Sequence, residues 1–127
     1  MRPIGFASAV AERWCGVELS IEPHKDVSIV MADGRMDAAG APDVEASCKQ
    51  LIHEGARRLL LDMSSVEYIS SAGLRSLLVL AKAMQAAGGT MVLYGLTPVV
   101  RDVMTMSGFD SILLLAADRS GAMDLLK

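Results

Sequence analysis

Residues 59–75, which read LLLDMSSVEYISSAGLR, carry most of the information about the fold. The nearly continuous apolar run at 59–63 is typical of a strand that is covered on both faces of a parallel sheet. After Ser71 the apolar residues recur at three- and four-residue spacing, which predicts an amphipathic helix with Leu74, Leu77, Leu78, Ala81 and Met84 on one stripe. A buried strand that leads directly into a helix indicates a β-α-β unit, and therefore an α/β domain.

Two strands and a helix are predicted before this stretch. Residues 17–22 alternate between apolar and polar, and residues 27–32 follow a turn at 23–26, so the two segments are expected to pair as a hairpin. Gly34 is expected in a tight loop. The next helix carries Ala41, Val44, Cys48, Leu51 and Ile52 on one face, with Pro42 in its first turn and Gly55 at its end.

Further strands and helices are predicted after Gly88-Gly89, which ends the helix that starts near Ser71. Residues 90–94 form a buried strand, and Thr97-Pro98 is typical of a helix start. That helix is expected to end at Gly108 and to bury Val99, Val100, Val103, Met104 and Met106. A short strand at 112–115 and a terminal helix from Asp118 complete the order β-β-α-β-α-β-α-β-α, a mixed, mostly parallel sheet of four to five strands with four helices.

The composition indicates one globular domain. The chain has 127 residues, 52% of them hydrophobic and 21% charged. Residues 1–16 are expected to be a loosely ordered N-terminal extension, and residues 17–127 the domain itself. No apolar run reaches the roughly 18–20 residues of a membrane-spanning helix, so the protein is expected to be soluble and cytoplasmic, without membrane insertion.

Charge and residue types exclude several function classes. Twelve Lys and Arg against fifteen Asp and Glu argue against a nucleic-acid partner. Two Cys and two His leave little material for a metal site or a disulfide framework, so no metal and no cofactor are expected, and Cys15 and Cys48 are interpreted as reduced thiols. The phosphate-binding patterns GxGxxG and GxxxxGK[ST] are missing.

Ser70-Ser71 lies between a strand and a helix, where the nucleophile of a serine hydrolase would lie. The GxSxG pattern is incomplete, and His24 and His53 are more simply interpreted as solvated surface residues. Asp62 is expected to accept local backbone hydrogen bonds. Met84, Met104 and Met106 are predicted to be core residues and not a binding surface.

The start of the helix near Ser71 is the most informative candidate site. A serine here is typical of a helix N-cap, and the same position suits phosphorylation because a helix N-terminus stabilises negative charge. Arg75 lies four residues after Ser71, so its side chain could reach a phosphate on that serine, and Lys82 continues the stripe. The sequence permits a phosphorylation switch there.

The chain resembles the STAS domain family, in particular bacterial anti-sigma factor antagonists. The matching pieces, which together span about 17–127, are GRMD at 34–37, LLDMSSVEYI at 60–69, SSAGL at 70–74, GG at 88–89, LTP at 96–98 and MSGF at 106–109. The resemblance implies a non-enzymatic regulator that binds an anti-sigma factor with serine kinase activity, is released by phosphorylation, and is restored by a phosphatase.

The resemblance also implies site residues. The phosphoacceptor falls on Ser71, with Ser70 as the second choice; many family members have Asp where this chain has Ser70. The expected partner-binding residues are Asp37, Ser70, Ser71, Ala72, Gly73, Leu74 and Arg75. Two other functions stay open: an accessory subunit of a lipid or anion transport system, and a small hydrolase that uses Ser71. The oligomeric state is not predicted.

Overall fold

The computed structural model describes residues 17–24 and 26–126. The predicted N-terminal extension and Cys15 lie outside this part of the chain, as does the side chain of His24. Five strands are described: β1 (Val17–His24), β2 (Val27–Met36), β3 (Arg58–Ile69), β4 (Thr90–Tyr94) and β5 (Leu114–Ala116). The helices are α1 (Ala41–His53), α2 (Ser71–Ala86), α3 (Pro98–Ser107) and α4 (Arg119–Leu125), with a 3₁₀ turn at Phe109–Ser111. The predicted order and fold class are confirmed.

The strands form one sheet in the order of the sequence, β1-β2-β3-β4-β5. β1 pairs antiparallel with β2, as the hairpin prediction required, and every later pair is parallel. Since parallel neighbours need crossover connections, α1, α2 and α3 each carry the chain back along the sheet. The starts of α1, α2 and α3 therefore lie at the same edge of the sheet, where β2, β3 and β4 end.

The two faces of the sheet have different cores. Alternate residues of β3 point to opposite faces: Leu59, Leu61 and Met63 join a large cluster with the buried sides of α1, α2 and α3, while Leu60 joins a smaller cluster under α4. Burial on both faces explains why the run at 59–63 is apolar except at Asp62. Three helices thus cover one face of the sheet, and α4 packs on the other.

The prediction of a loop at Gly34 was wrong. β2 continues through Gly34 to Met36, and its pairing with β3 shifts between Met31 and Asp33 and again between Gly34 and Arg35. Gly34 has a φ of 119°, a value that favours glycine. Gly34 therefore lies at a bulge inside the strand, and β2 continues beyond this bulge to Met36.

The predicted core face of α3 was wrong at two of its five residues. Val100 and Met104 are buried and Val103 is partly buried, but Val99 is 56% exposed and Met106 is 87% exposed. Met106 lies two residues after Met104, about 200° around the helix, so it points away from the sheet. The last strand is also displaced, to Leu114–Ala116, because the 3₁₀ turn takes up the residues before Ile112.

Candidate functional site

The carboxyl ends of β2 and β3 bring the predicted site residues together. Met36 pairs with Ile69, so the next residues of the two strands, Asp37 and Ser70, emerge side by side. The Ser70 amide donates a hydrogen bond to the Met36 carbonyl at 3.0 Å, which joins the start of α2 to the end of β2. The distant residues Asp37 and Ser70 thus share one small surface.

Ser70 is the N-cap of α2. Its backbone is extended, with φ −101° and ψ 178°, and its Oγ accepts a hydrogen bond from the Gly73 amide at 3.4 Å. The same hydroxyl donates to the Met36 carbonyl at 3.4 Å. Ser70 is half-buried. Its hydroxyl is therefore occupied in holding the helix start against β2.

Ser71 is the first residue of α2 and is exposed. Within residues 17–24 and 26–126 its hydroxyl makes no hydrogen bond. Ala72 is half-buried beside it, and Arg75 is exposed on the next turn of the helix. An exposed hydroxyl at a helix N-terminus can accept a phosphoryl group, and the helix dipole stabilises the charge that this adds.

Gly73 allows the close packing of α2 against β2. A Cβ at this position would lie 2.4 Å from the Met36 carbonyl oxygen and 2.7 Å from Ile69 Cγ1. Leu74, the next residue, is buried in the large core. The start of α2 is thus fixed by Ser70, Gly73 and Leu74, which leaves Ser71 and Arg75 on the outside.

Asp37 holds the start of α1. Its Oδ1 accepts hydrogen bonds from the amides of Ala39 and Gly40, each at 3.0 Å. The hydrogen bond from the Gly40 amide is the main cause that holds the pKa of Asp37 below its ordinary value of 3.8. Burial raises this pKa, but Ala39 and Arg35 lower it further, and the net shift is downward. Asp37 is therefore a structural anion of the site, ionised at neutral pH.

Two site residues, Arg35 and Tyr68, were missed by the sequence reasoning. They pair across β2 and β3, and the Arg35 guanidinium lies over the Tyr68 ring, 4.4 Å from its centroid. Arg35 Nε also donates to Asp37 Oδ2 at 3.4 Å. Both residues lie within the family motifs at 34–37 and 60–69, but their contact depends on a strand register that shifts twice, and no periodicity in the sequence reveals it.

A polar contact joins α1 to α2 behind the site. The Ser76 hydroxyl, on a residue 5% exposed, donates to Glu45 Oε1 at 2.9 Å, and Lys49 Nζ lies 3.0 Å from Glu45 Oε2. The Glu45 carboxylate therefore turns toward α2 and not into solvent. The hydrogen bond from Lys49 is the main cause that lowers the pKa of Glu45, and that from Ser76 is the next.

Asp62 behaves as the sequence predicted. Its Oδ1 accepts from the Ser64 amide at 2.9 Å and from the Ser64 hydroxyl at 2.6 Å. Its other oxygen accepts from the Tyr94 hydroxyl at 3.2 Å, and Arg119 Nε donates to that hydroxyl at 3.0 Å. The partners Tyr94 and Arg119 were not foreseen, since they lie 32 and 57 positions further along the chain.

Neither His53 nor Cys48 supports a hydrolytic role for Ser71. His53 is exposed and ends α1, a helix of 13 residues, about 20 Å long. Since α1 and α2 begin at the same edge of the sheet, His53 lies at the far end from Ser71. Cys48 is buried, and burial raises the pKa of its thiol to about 12, so it is not a nucleophile at neutral pH.

Residues 17–24 and 26–126 contain no group of three or more His, Cys, Asp or Glu that could hold a metal ion. None of the helices formed by them has the length and apolar character needed to cross a membrane.

Solved structures share this fold. An anti-sigma factor antagonist from Mycobacterium paratuberculosis superposes with a TM-score of 0.79 at 24% identity, over 87% of this chain and 93% of that one. SpoIIAA from Bacillus, a cell fate determinant solved in its phosphorylated form, superposes with a TM-score of 0.65 at 19% identity, over 86% of this chain and 99% of that one.

The sequence comparisons identify the family. BtrV of Bordetella bronchiseptica, named as a candidate anti-sigma factor antagonist, is 37% identical over 106 residues, which cover 84% of this chain and 91% of BtrV. The family model for the STAS domain matches residues 18–122, nearly all of the described sheet and helices. The chain therefore belongs to the STAS domain family.

Proposed function

We propose that this protein is an anti-sigma factor antagonist: it binds an anti-sigma factor that is also a serine kinase, and phosphorylation of Ser71 releases it. The likeness to BtrV supports the class of function. The observation that carries the switch is the exposed hydroxyl of Ser71 at the first position of α2. The fold then acts as a rigid scaffold that presents this hydroxyl to a partner.

The contacts favour Ser71 over Ser70 as the phosphoacceptor. The Ser70 hydroxyl donates to Met36 and accepts from Gly73, so a phosphate there would break both contacts and the cap. Ser71 is exposed and could be modified without any such loss. A kinase could therefore reach Ser71 in the folded protein, whereas Ser70 would first have to leave its position at the helix start.

A phosphate on Ser71 would act on the interface and leave the fold intact. It adds about −1.5 to −2 charges at neutral pH, which the N-terminus of α2 and the nearby Arg75 tolerate while the group is solvated. Burial of the same group against a partner without a matching cation would cost several kcal/mol. Since about 1.4 kcal/mol is a factor of ten in affinity, binding would fall by orders of magnitude.

The partner surface would include the residues around this helix start. Arg75 and Ser71 are exposed, Ala72 and Asp37 are half-buried, and the small side chain of Ala72 allows a partner to approach the backbone closely. A phosphatase specific for the modified serine would restore binding. With a net charge of −3 the protein would regulate transcription through this partner, in the cytoplasm, without touching DNA.

The decisive experiment is co-expression with the anti-sigma kinases of the same organism. Wild type, Ser71→Ala, Ser71→Asp and the matched control Ser70→Ala are compared by pull-down and by phosphate-affinity gel mobility. We expect wild type and Ser71→Ala to bind, Ser71→Asp to bind at least tenfold more weakly, and only variants that retain Ser71 to shift in the gel when ATP is present.

Three outcomes would contradict the proposal. Stoichiometric phosphate on Ser70 with Ser71 unmodified would overturn the choice of serine. Failure of every kinase to bind either wild type or Ser71→Ala would overturn the regulatory function. Recovery of a transporter ATPase from the native cytoplasm, in place of an anti-sigma factor, would favour the accessory subunit of a transport system.

A further inference from the structure

We propose that Arg35, stacked on Tyr68, determines the specificity of the partner surface by binding a carboxylate of the anti-sigma factor. The inference rests on the proposed function and adds to it a residue pair and the chemistry of its target. It depends on the contacts of Arg35, on the exposure of Tyr68, and on the place of the pair beside the start of α2.

The Arg35 guanidinium is held in position with most of its hydrogen-bonding capacity unused. The Tyr68 ring lies under it at 4.4 Å, and its Nε makes one long hydrogen bond, 3.4 Å, to Asp37. Its two terminal nitrogens have no hydrogen-bond partner within residues 17–24 and 26–126. The Arg35 side chain is 51% exposed, so the free ends of the planar fork face solvent.

Such a pair has the properties of a binding hot spot. Arginine and tyrosine are enriched among the residues that dominate interface energies, and an arginine already stacked on a ring loses little conformational freedom when it binds. Tyr68 is 37% exposed although the sequence has only five Phe, Trp and Tyr residues in all. Neither side chain belongs to either core, so packing does not explain their placement.

The position of the pair connects it to the proposed switch. Arg35 and Tyr68 pair one step before Met36 and Ile69, and those two lead directly to Asp37 and Ser70. Since alternate strand residues point to opposite faces, Arg35 and Tyr68 lie on the face opposite to α2, at the same edge of the sheet as Ser71. A partner that covers Ser71 and continues around this edge would meet the Arg35 fork. The two terminal nitrogens match the two oxygens of a carboxylate, and Asp37 beside the fork would repel a doubly charged phosphate more strongly than a singly charged carboxylate.

The test measures binding of the cognate anti-sigma factor by titration calorimetry at low and high salt. The variants are Arg35→Ala, Arg35→Lys and the matched control Arg101→Ala, an exposed arginine on α3. We expect Arg35→Ala to weaken binding about 10- to 100-fold and to flatten its salt dependence. Arg35→Lys should remain at least fivefold weaker than wild type, because lysine keeps the charge but lacks the fork. Arg101→Ala should stay within twofold.

The outcomes separate this inference from the proposed function. Binding of Arg35→Ala within twofold of wild type, while Ser71→Asp loses binding, would overturn the role of Arg35 and leave the switch intact. Full recovery of affinity in Arg35→Lys would overturn the carboxylate fork. If Arg35→Ala loses binding and also unfolds at a lower temperature, the loss would reflect a structural effect through Asp37. That result would also overturn the role of Arg35 in binding the carboxylate. Failure of wild type and Ser71→Ala to bind would overturn the proposed function instead.

Discussion

At the scale of single residues, Gly73 is the position where the site tolerates least change. Alanine is the better helix former by about 1 kcal/mol, so local preference favours Gly73→Ala. A Cβ there, however, would lie 2.4 Å from the Met36 carbonyl oxygen, which belongs to the backbone of β2 and cannot move aside alone. We expect Gly73→Ala to lower the free energy of unfolding by about 1–3 kcal/mol, measured by chemical denaturation.

Gly121 supplies the matched control for that substitution. It also lies in a helix, but a Cβ there would come no nearer than 3.3 Å to another atom, the Asp118 Oδ1 that caps α4 by accepting from the Gly121 amide. Gly121→Ala is therefore expected to change the free energy of unfolding much less than Gly73→Ala. Equal stability losses in the two variants would show that the close contact between α2 and β2 does not limit position 73.

The two adjacent serines should differ in what they contribute to stability. Ser70→Ala removes the N-cap of α2 and is expected to cost about 1 kcal/mol. Ser71→Ala removes an exposed hydroxyl and should stay within about 0.5 kcal/mol of wild type. Thermal unfolding of both variants checks this. A larger loss in Ser71→Ala than in Ser70→Ala would mean that the cap had been assigned to the wrong serine.

The sequence located this helix start, and the family resemblance placed the phosphoacceptor on Ser71, but neither showed which serine caps the helix. Two hydroxyls side by side fit the same N-cap pattern, and only the Ser70 contacts to Met36 and Gly73 separate them. Asp62 was predictable because its Ser64 partners are two residues away. Arg35 and Tyr68 were not, since their contact requires the strand register and the bulge at Gly34.

At the scale of elements, helix ends were predicted better than helix faces. Thr97, Pro98 and Gly108 mark the ends of α3 through local capping chemistry, and the structure confirms each of them. The buried face of α3 depends instead on how the helix rests on the sheet. Its ten residues carry more apolar side chains than one face can hold, so periodicity alone could not show that Met106 points outward.

The contact between α1 and α2 should make stability depend on pH. Hydrogen bonds from Lys49 and Ser76 hold the pKa of Glu45 below its ordinary value of 4.5 in the folded protein. The folded state therefore favours the carboxylate, and this contribution is present above about pH 4.5 and is lost as pH falls through the lowered pKa. Glu45→Gln should cost about 0.5–1 kcal/mol at pH 7 and progressively less toward pH 3.

Denaturation curves at several pH values between 7 and 3 measure this difference. Glu67→Gln is the matched control, because Glu67 is exposed on β3 and its side chain has no hydrogen-bond or ion-pair partner within residues 17–24 and 26–126. Its difference from wild type should stay small throughout. A stability difference for Glu45→Gln that does not shrink at low pH would show that the carboxylate charge contributes nothing to the packing of α1 against α2.

At the scale of the whole molecule, the mostly parallel sheet followed from the sequence, but the spatial order of its strands and the covering of its second face did not. Alternating strands and helices imply parallel strands joined by crossovers. They do not fix which strands lie side by side, and the order β1 to β5 comes from the structure. The sequence predicted a final helix from Asp118, but it did not show which face of the sheet this helix packs against. Its position under the sheet depends on Ala122 and Leu126 in the smaller core, and on Arg119 reaching Tyr94.

That polar contact yields the last prediction. The Tyr94 hydroxyl joins α4 to the sheet, since it accepts from Arg119 and donates to Asp62. Burial raises the pKa of Tyr94, so the hydroxyl keeps its proton. Tyr94→Phe leaves both charged partners without this link and should cost about 1–2 kcal/mol. Hydrogen exchange should then speed up more in α4 than in α2, because α2 packs on the other face.

Tyr68→Phe is the control for that loss, since the hydroxyl of Tyr68 has no hydrogen-bond partner in the described part of the chain. It should change the free energy of unfolding by less than about 0.5 kcal/mol. Equal acceleration of exchange in α2 and α4 would mean that the domain opens as one unit and that Tyr94 does not hold α4 separately. Selective loosening of α4 would instead show that the helix can leave the sheet while the surface around Ser71, built on the opposite core, stays ordered.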